Sequence, residues 1–286
     1  MMAPVQEILG IQQAFYAAKG ALARVNQLAL LQREPDYPHL ENPFLGPKSV
    51  SVAVENLHFR YKDEPVLNGI NLKIGAGEKI ALVWASGGGK STLAQTLVGL
   101  YPPDQGMIYF DGVPLTRIGL DVVREHVATV LQHPALLNDT IRENLTLGRD
   151  IADSELWHAL ELAQLKTTVA ELEKGLDTVV GRQGMRLSGG QRQRMAIARM
   201  IVSRPSVVIL DEATSALDSE TEYKLHQALN EFLSGRTTII IAHRLSAVKQ
   251  ADHVYVFEEG RICEQGRHET LIQQQGLYAK LYGEYQ

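Results

Sequence analysis

Gly87, Gly88 and Gly89 run directly into Lys90, Ser91 and Thr92, and Ser86 precedes them. The run lies between a short apolar stretch, Lys79–Trp84 (KIALVW), and a segment of helical periodicity at 90–100. Glycines in such a run let successive backbone N–H groups turn inward around an anion. A helix opening near Lys90 adds the positive end of its dipole. Strand, glycine turn and helix together are the context of a phosphate-binding loop. In such a loop Lys90 reaches the β- and γ-phosphates of a nucleotide, Ser91 offers its hydroxyl to Mg²⁺, and Thr92 assists at the α/β-phosphates. Ser86, Gly87, Gly88 and Gly89 supply the cradle. Trp84 departs from this pattern, standing where G-x-x-x-x-G-K-[ST] has its first glycine. If the backbone there needs a positive φ, a tryptophan costs about 1–2 kcal/mol.

Four apolar residues, Val207–Leu210, precede the adjacent acids Asp211 and Glu212. A hydrophobic strand ending in two carboxylates is commonplace by itself. Downstream of a phosphate loop it reads as the partner of that loop: Asp211 holds Mg²⁺ through water, and Glu212 polarises the attacking water as general base. A third group, Leu187-Ser188-Gly189-Gly190-Gln191, opens a helix that carries Arg192 and Arg194. Ser188 can cap this helix, and Gly189 and Gly190 expose its first amides. The chain thus has a second anion site, which a plain helix cap does not explain.

LSGGQ between a phosphate loop and a strand ending in Asp-Glu resembles the ATP-binding cassette (ABC) family, over about residues 50–286. The resemblance implies a RecA-like P-loop NTPase core, an antiparallel β subdomain and an inserted α-helical subdomain at about 133–200. It also implies a head-to-tail pair of domains with ATP between the phosphate loop of one copy and Ser188, Gly189, Gly190 and Gln191 of the other. Further positions match the family one by one. Tyr61 matches the aromatic residue that stacks on adenine, a contact typically worth ~1–3 kcal/mol. Gln132 matches the glutamine that senses Mg²⁺ and the transport subunit, Asp218 the loop that crosses the dimer interface, and His243 the switch histidine at the γ-phosphate. The resemblance is to the exporter branch. Asp139–Leu145 (DTIRENL) is similar to its segment after the glutamine loop. Thr178–Gly184 (TVVGRQG) occupies the place of its X-loop, with Arg182 and Gln183 departing from the usual residues. A membrane domain of the same transporter, a second copy of this domain and a place at the cytoplasmic face are what this branch implies. Intact Glu212 and LSGGQ favour a homodimer.

The elements that must position these residues read as follows. Helical spacing of Val5, Ile8, Leu9, Phe15, Leu22, Val25 and Leu28 predicts a helix over 1–33. It resembles the cytoplasmic tail of an exporter's last membrane helix. A proline-rich linker follows at 34–49, with Pro35, Pro38, Pro43 and Pro47. Strands are expected from Val50 to Tyr61, at Lys79–Trp84, Ala128–Leu131, Val207–Leu210 and Thr238–Ala242. They alternate with helices at 153–164, 189–203 and 217–232, a pattern that predicts an α/β domain with a mainly parallel sheet. No apolar stretch reaches the ~18 residues of a membrane span, and no signal peptide is expected. A formal charge of −5 argues against a broad electrostatic grip on nucleic acid. The single cysteine, Cys263, permits no internal disulfide and is expected to be packed and inert. Two alternatives stand beside the exporter reading: an ABC ATPase not linked to transport, and a nucleotide-binding module whose hydrolysis is impaired by Trp84.

Overall fold

The structure is a computed structural model that describes residues 3–30, 33–46, 48–84, 89–211, 219–242 and 245–282. The chain divides into two compact units, Met1–Asp36 and Tyr37–Gln286. The first holds the helix α1 (Ala3–Ala29), which ends earlier than the periodicity predicts. Its apolar residues Ile11, Phe15, Tyr16, Leu22, Val25 and Leu28 are all exposed.

The second unit begins inside the expected linker. Phe44 is buried, with its ring stacked on His126 at 4.8 Å between centroids. The Leu40 N–H donates to the Arg117 carbonyl at 2.8 Å, and Arg117 pairs with Glu41. A proline-rich segment that buries a phenylalanine and pairs its backbone is part of the packed unit, not a free tether.

Two sheets organise this unit. One is antiparallel, in the order β2-β1-β4-β5: β1 (Val52–Tyr61), β2 (Glu64–Ile74), β4 (Gln105–Phe110) and β5 (Val113–Pro114). The other is six-stranded, in the order β10-β9-β3-β8-β7-β6. It comprises β3 (Lys79–Trp84), β6 (Val127–Val130), β7 (Val207–Asp211), β8 (Thr237–Ile241), β9 (His253–Glu258) and β10 (Arg261–Gly266). All its neighbours run parallel except the β9–β10 hairpin.

The period of two along a strand sends alternate residues to opposite faces. Ile80, Leu82 and Trp84 of β3 join the core beneath the antiparallel sheet, with Tyr255 and Phe257 of β9. Ala81 and Val83 join Val254 and Val256 in a core on the other face, closed by Leu271 and Tyr278. In β7, Val207 and Ile209 face the first core, while Val208 and Leu210 face a third, largely helical one. Burial on both faces is why these strands read as unbroken apolar runs.

Among the remaining helices, α2 (Lys90–Leu97), α3 (Leu115–Ile118) and α4 (Leu120–His126) flank the first core. The third core is built by α5 (Ile141–Thr146), α6 (Asp153–Leu162), α7 (Lys166–Ala170) and α8 (Gly189–Ser203), with α9 (Ser219–Leu233) against it. The short α10 (Leu245–Val248), α11 (His268–Gln273) and α12 (Leu277–Tyr282) complete the unit. Asn144, fully buried on α5, ties this region together. It accepts from the Leu137 N–H at 2.8 Å and donates to the carbonyls of Leu137 and Thr140. Cys263 is exposed on β10, not packed in the core. Partial burial of its sulfur, then Glu264 and Glu258, push its thiol up, so it stays a neutral, poor nucleophile.

Candidate functional site

In an open parallel sheet, ligands bind beyond the carboxyl ends of the strands. Here β3, β8 and β7 lie side by side and parallel, with Leu82 opposite Ile241 and Asp211 opposite Ile241. Their ends lead into Gly89–Lys90, into His243 and into Glu212, respectively. The adjacent edge strand β6 ends at Val130, two residues before Gln132. The carboxyl ends of β3, β8, β7 and β6 therefore lie side by side at one end of the sheet.

Described side chains make part of this convergence direct. Ser91 Oγ donates to Asp211 Oδ2 at 3.3 Å, across 120 residues of sequence. Asp211 is buried, so its carboxylate is held where bulk water competes little. Ser91 lies in the first turn of α2, and Gly89 is that helix's N-cap, with φ 100 and ψ −13. A side chain there is strained by the backbone, and a Cβ would stand 3.2 Å from the Val66 carbonyl oxygen. The glycine is thus demanded twice, by conformation and by space.

Tyr61, 44% exposed, has its hydroxyl 3.4 Å from Thr92 Oγ1. Two further rings brace it edge-on: Phe59 at 5.0 Å and Tyr101 at 5.6 Å between centroids. Phe59 and Tyr101 stack on each other at 5.2 Å. Tyr101 is a supporting residue that sequence reasoning missed. Its only signal is its place just after α2, and nothing in its local spacing ties it to Tyr61.

Ser188 caps α8 through a complete capping box. The Gln191 N–H donates to Ser188 Oγ at 3.2 Å, and the Ser188 N–H donates to Gln191 Oε1 at 2.8 Å. The Ser188 hydroxyl proton is left to donate outward, as are the first-turn amides of Gly189 and Gly190, which a helix cannot satisfy internally. The Gln191 carbonyl is occupied by the cap, so this side chain can offer a ligand only its N–H₂ group. Gln132 and Gly189 line a common cavity of about 610 Å³ with Gln183, Met185 and Arg192. The X-loop segment pairs with the stretch before α5: Ile141 N–H to Thr178 O and Val180 N–H to Asp139 O, each 3.0 Å.

Trp84 is 6% exposed, and its indole stacks on Phe257 at 4.0 Å with an 11° tilt. It is not among the non-glycine residues of positive φ, so the left-handed strain that a glycine position suggests is absent. Its indole N–H is buried without a partner. That orphan costs about 1–3 kcal/mol, comparable to the packing its second ring supplies. Trp84→Phe therefore leaves stability within about 1.5 kcal/mol of the parent in a urea titration. Ser86, Gly87, Gly88, Glu212, Asp218 and His243 lie outside the described residues.

A family model described as ABC transporter matches residues 67–215, more than half of the chain. The chain belongs to the ABC transporter family. It is 42% identical over 285 residues to an ATP-dependent lipid A-core flippase of Chromobacterium violaceum, covering 99% of this chain and 48% of that protein. It is 47% identical over 234 residues to the multidrug resistance protein pgp-1 of Caenorhabditis elegans, covering 80% of this chain and 18% of that protein. The solved structure of a bacterial Atm1-family ABC exporter with ATP bound matches at TM-score 0.84 and 37% identity, covering 92% of this chain and 47% of that one. The chain spans less than half the length of each of these relatives. What it holds is the ATP-binding ATPase domain of the exporter-type ABC architecture. Among the described residues no helix is long and apolar enough to cross a membrane.

Proposed function

We propose that this ABC domain binds Mg·ATP at the sheet edge, pairs head to tail with a second copy, and hydrolyses ATP to drive export through a membrane domain of the same transporter. The observation that carries the reading is the Ser91–Asp211 contact beneath a glycine-capped helix. A hydroxyl and a buried carboxylate are hard oxygen donors, and they meet at the place where a nucleotide's phosphates would lie. This donor set fits Mg²⁺: Ser91 and Asp211 would hold it, and Gln132, two residues past β6, would join them. When bound there it would neutralise charge on the β- and γ-phosphates.

The other roles belong to the chain's own groups. Backbone amides of residues 86–89 and the Lys90 ammonium orient the phosphates. Tyr61 offers its exposed ring to the adenine. Glu212 takes a proton from the attacking water, and His243 holds that water against the γ-phosphate. The partner copy's LSGGQ completes the site with the Ser188 hydroxyl and the free amides of its capped helix. Export is proposed from the cytoplasmic face of a membrane, because a flippase and a multidrug resistance protein match almost the whole domain. These same matches disfavour an ATPase unlinked to transport. The unstrained Trp84 disfavours a module with impaired hydrolysis.

A site completed by a second copy makes turnover depend on protein concentration. Phosphate release per mole of chain should rise with chain concentration and level off as dimers saturate, in Mg²⁺ and saturating ATP. A specific activity independent of concentration, at a level where the chain sediments as a monomer, contradicts the shared site.

A further inference from the structure

Between β6 and α5 the chain forms neither helix nor strand, and side chains fasten its backbone instead. Gln193, on the second turn of α8 and 2% exposed, donates from Nε2 to the Gln132 carbonyl at 3.3 Å. Further along the same helix, Arg199 donates to the Ala135 carbonyl at 3.1 Å, and to Asn144 O at 2.7 Å and Asn144 Oδ1 at 3.1 Å. Asn144 in turn holds Leu137 by both its N–H and its carbonyl. The segment that follows β6 is thus tied to α8 directly at Gln132 and Ala135.

Gln193 is the unexpected member of this set. Packing alone does not call for a glutamine there: Met195, Ala196 and Ile197, which follow it, enter the helical core as apolar side chains. A buried amide is costly unless its hydrogen bonds are made, so its partner matters. That partner is the backbone of Gln132, whose side chain joins Mg²⁺ in the function proposed above. One turn before Gln193 on the same helix stand Gly189 and Gly190, whose amides face the partner copy's ATP in that function. The helix runs unbroken over 15 residues, so a displacement at Gln193 reaches its first turn.

We propose that Gln193 is a positioning residue that couples the two ATP sites of the dimer. It links the glutamine serving the chain's own nucleotide to the helix end serving the partner's. The inference rests on the proposed function, and it adds to that function a route between the two sites. By linkage the route works in both directions: metal and nucleotide at one site set the orientation of the α8 amides at the other, and the reverse.

The test uses the ¹⁵N-labelled chain with Mg·ADP, a state in which it is expected to be monomeric, and ADP in EDTA as a separate arm. Both should shift the amides at the start of α2. Only Mg·ADP should also shift those of Gly189, Gly190 and Gln191. Gln193→Met fills the same space without a donor. It should keep the α2 shifts and lose those at the start of α8, and its spectrum reports directly that it is folded. In the Glu212→Gln background, Gln193→Met should weaken Mg·ATP-driven dimerisation by about fivefold or more, followed by sedimentation. Absence of α2 shifts with Mg·ADP overturns the nucleotide site itself. Shifts at α2 without metal-dependent shifts at α8 in the parent, a result that needs no variant, overturn the coupling and leave the nucleotide site standing. So do parental α8 shifts, or parental dimerisation, in the folded Gln193→Met chain.

Discussion

Glu212→Gln lowers steady-state ATP hydrolysis by about three orders of magnitude while ATP affinity stays within a few-fold of the parent. The expectation starts from β7. Its last residue, Asp211, is buried and stands 3.3 Å from Ser91, and Glu212 is the next residue in the chain. Glutamine matches glutamate in size and still orients water by hydrogen bonding, but it cannot accept the proton that the attacking water must lose. Removing one negative charge beside the phosphates does not weaken their binding, so the loss falls on the chemical step. Single-turnover chemistry and equilibrium nucleotide binding, measured side by side, separate these effects. Hydrolysis at the parental rate removes Glu212 from the role of base.

Gly89→Val abolishes useful ATP binding, weakening it by about 100-fold or more, in a chain that still folds. Two costs add at this residue. Its φ of 100 is a conformation that L side chains rarely adopt, and a branched one least of all. A Cβ also meets the Val66 carbonyl oxygen at 3.2 Å, closer than ordinary contact allows. The backbone relieves both by rotating, and that rotation turns the amides at the start of α2 away from the phosphates. The strands and the buried Leu93, Ala94 and Leu97 of α2 lie in a core that does not depend on this residue, so a cooperative thermal transition should persist. Parental affinity in a folded Gly89→Val chain shows that the left-handed turn is not what cradles the nucleotide.

Much of the fold was legible because its strands are buried on both faces. Val207–Leu210 and Lys79–Trp84 read as unbroken apolar runs for the reason the structure displays: successive residues enter different cores. The helix over 189–203 was legible from Ser188, whose capping box marks its first turn. Other features depend on contacts distant in sequence. Phe44 packs on His126 across 82 positions, so a proline-rich stretch read as a linker while its middle belongs to the folded unit. The hairpin of β9 and β10 went unnoticed although Val254–Phe257 carries β-branched and aromatic residues, because no chemical motif drew attention to it. Trp84 shows the same limit. A motif position argues for glycine, but the strand's pairing with β9 sets the outcome, placing Phe257 as a flat partner for the indole. In the site, the meeting of Ser91 with Asp211 follows from the order of motifs along a parallel sheet. The bracing of Tyr61 by Tyr101, and the use of the Gln191 carbonyl in a cap, could be seen only in three dimensions.

The central claim is that one ATP is held jointly by the phosphate loop of one copy and the LSGGQ of another. Sedimentation velocity of the Glu212→Gln chain tests it most directly, because blocked hydrolysis preserves whatever ATP assembles. With Mg·ATP the variant should sediment as a dimer, and with Mg·ADP, or with ATP after Ser188→Arg is added, as a monomer. A chain that binds ATP stoichiometrically yet remains monomeric at saturating nucleotide contradicts the account.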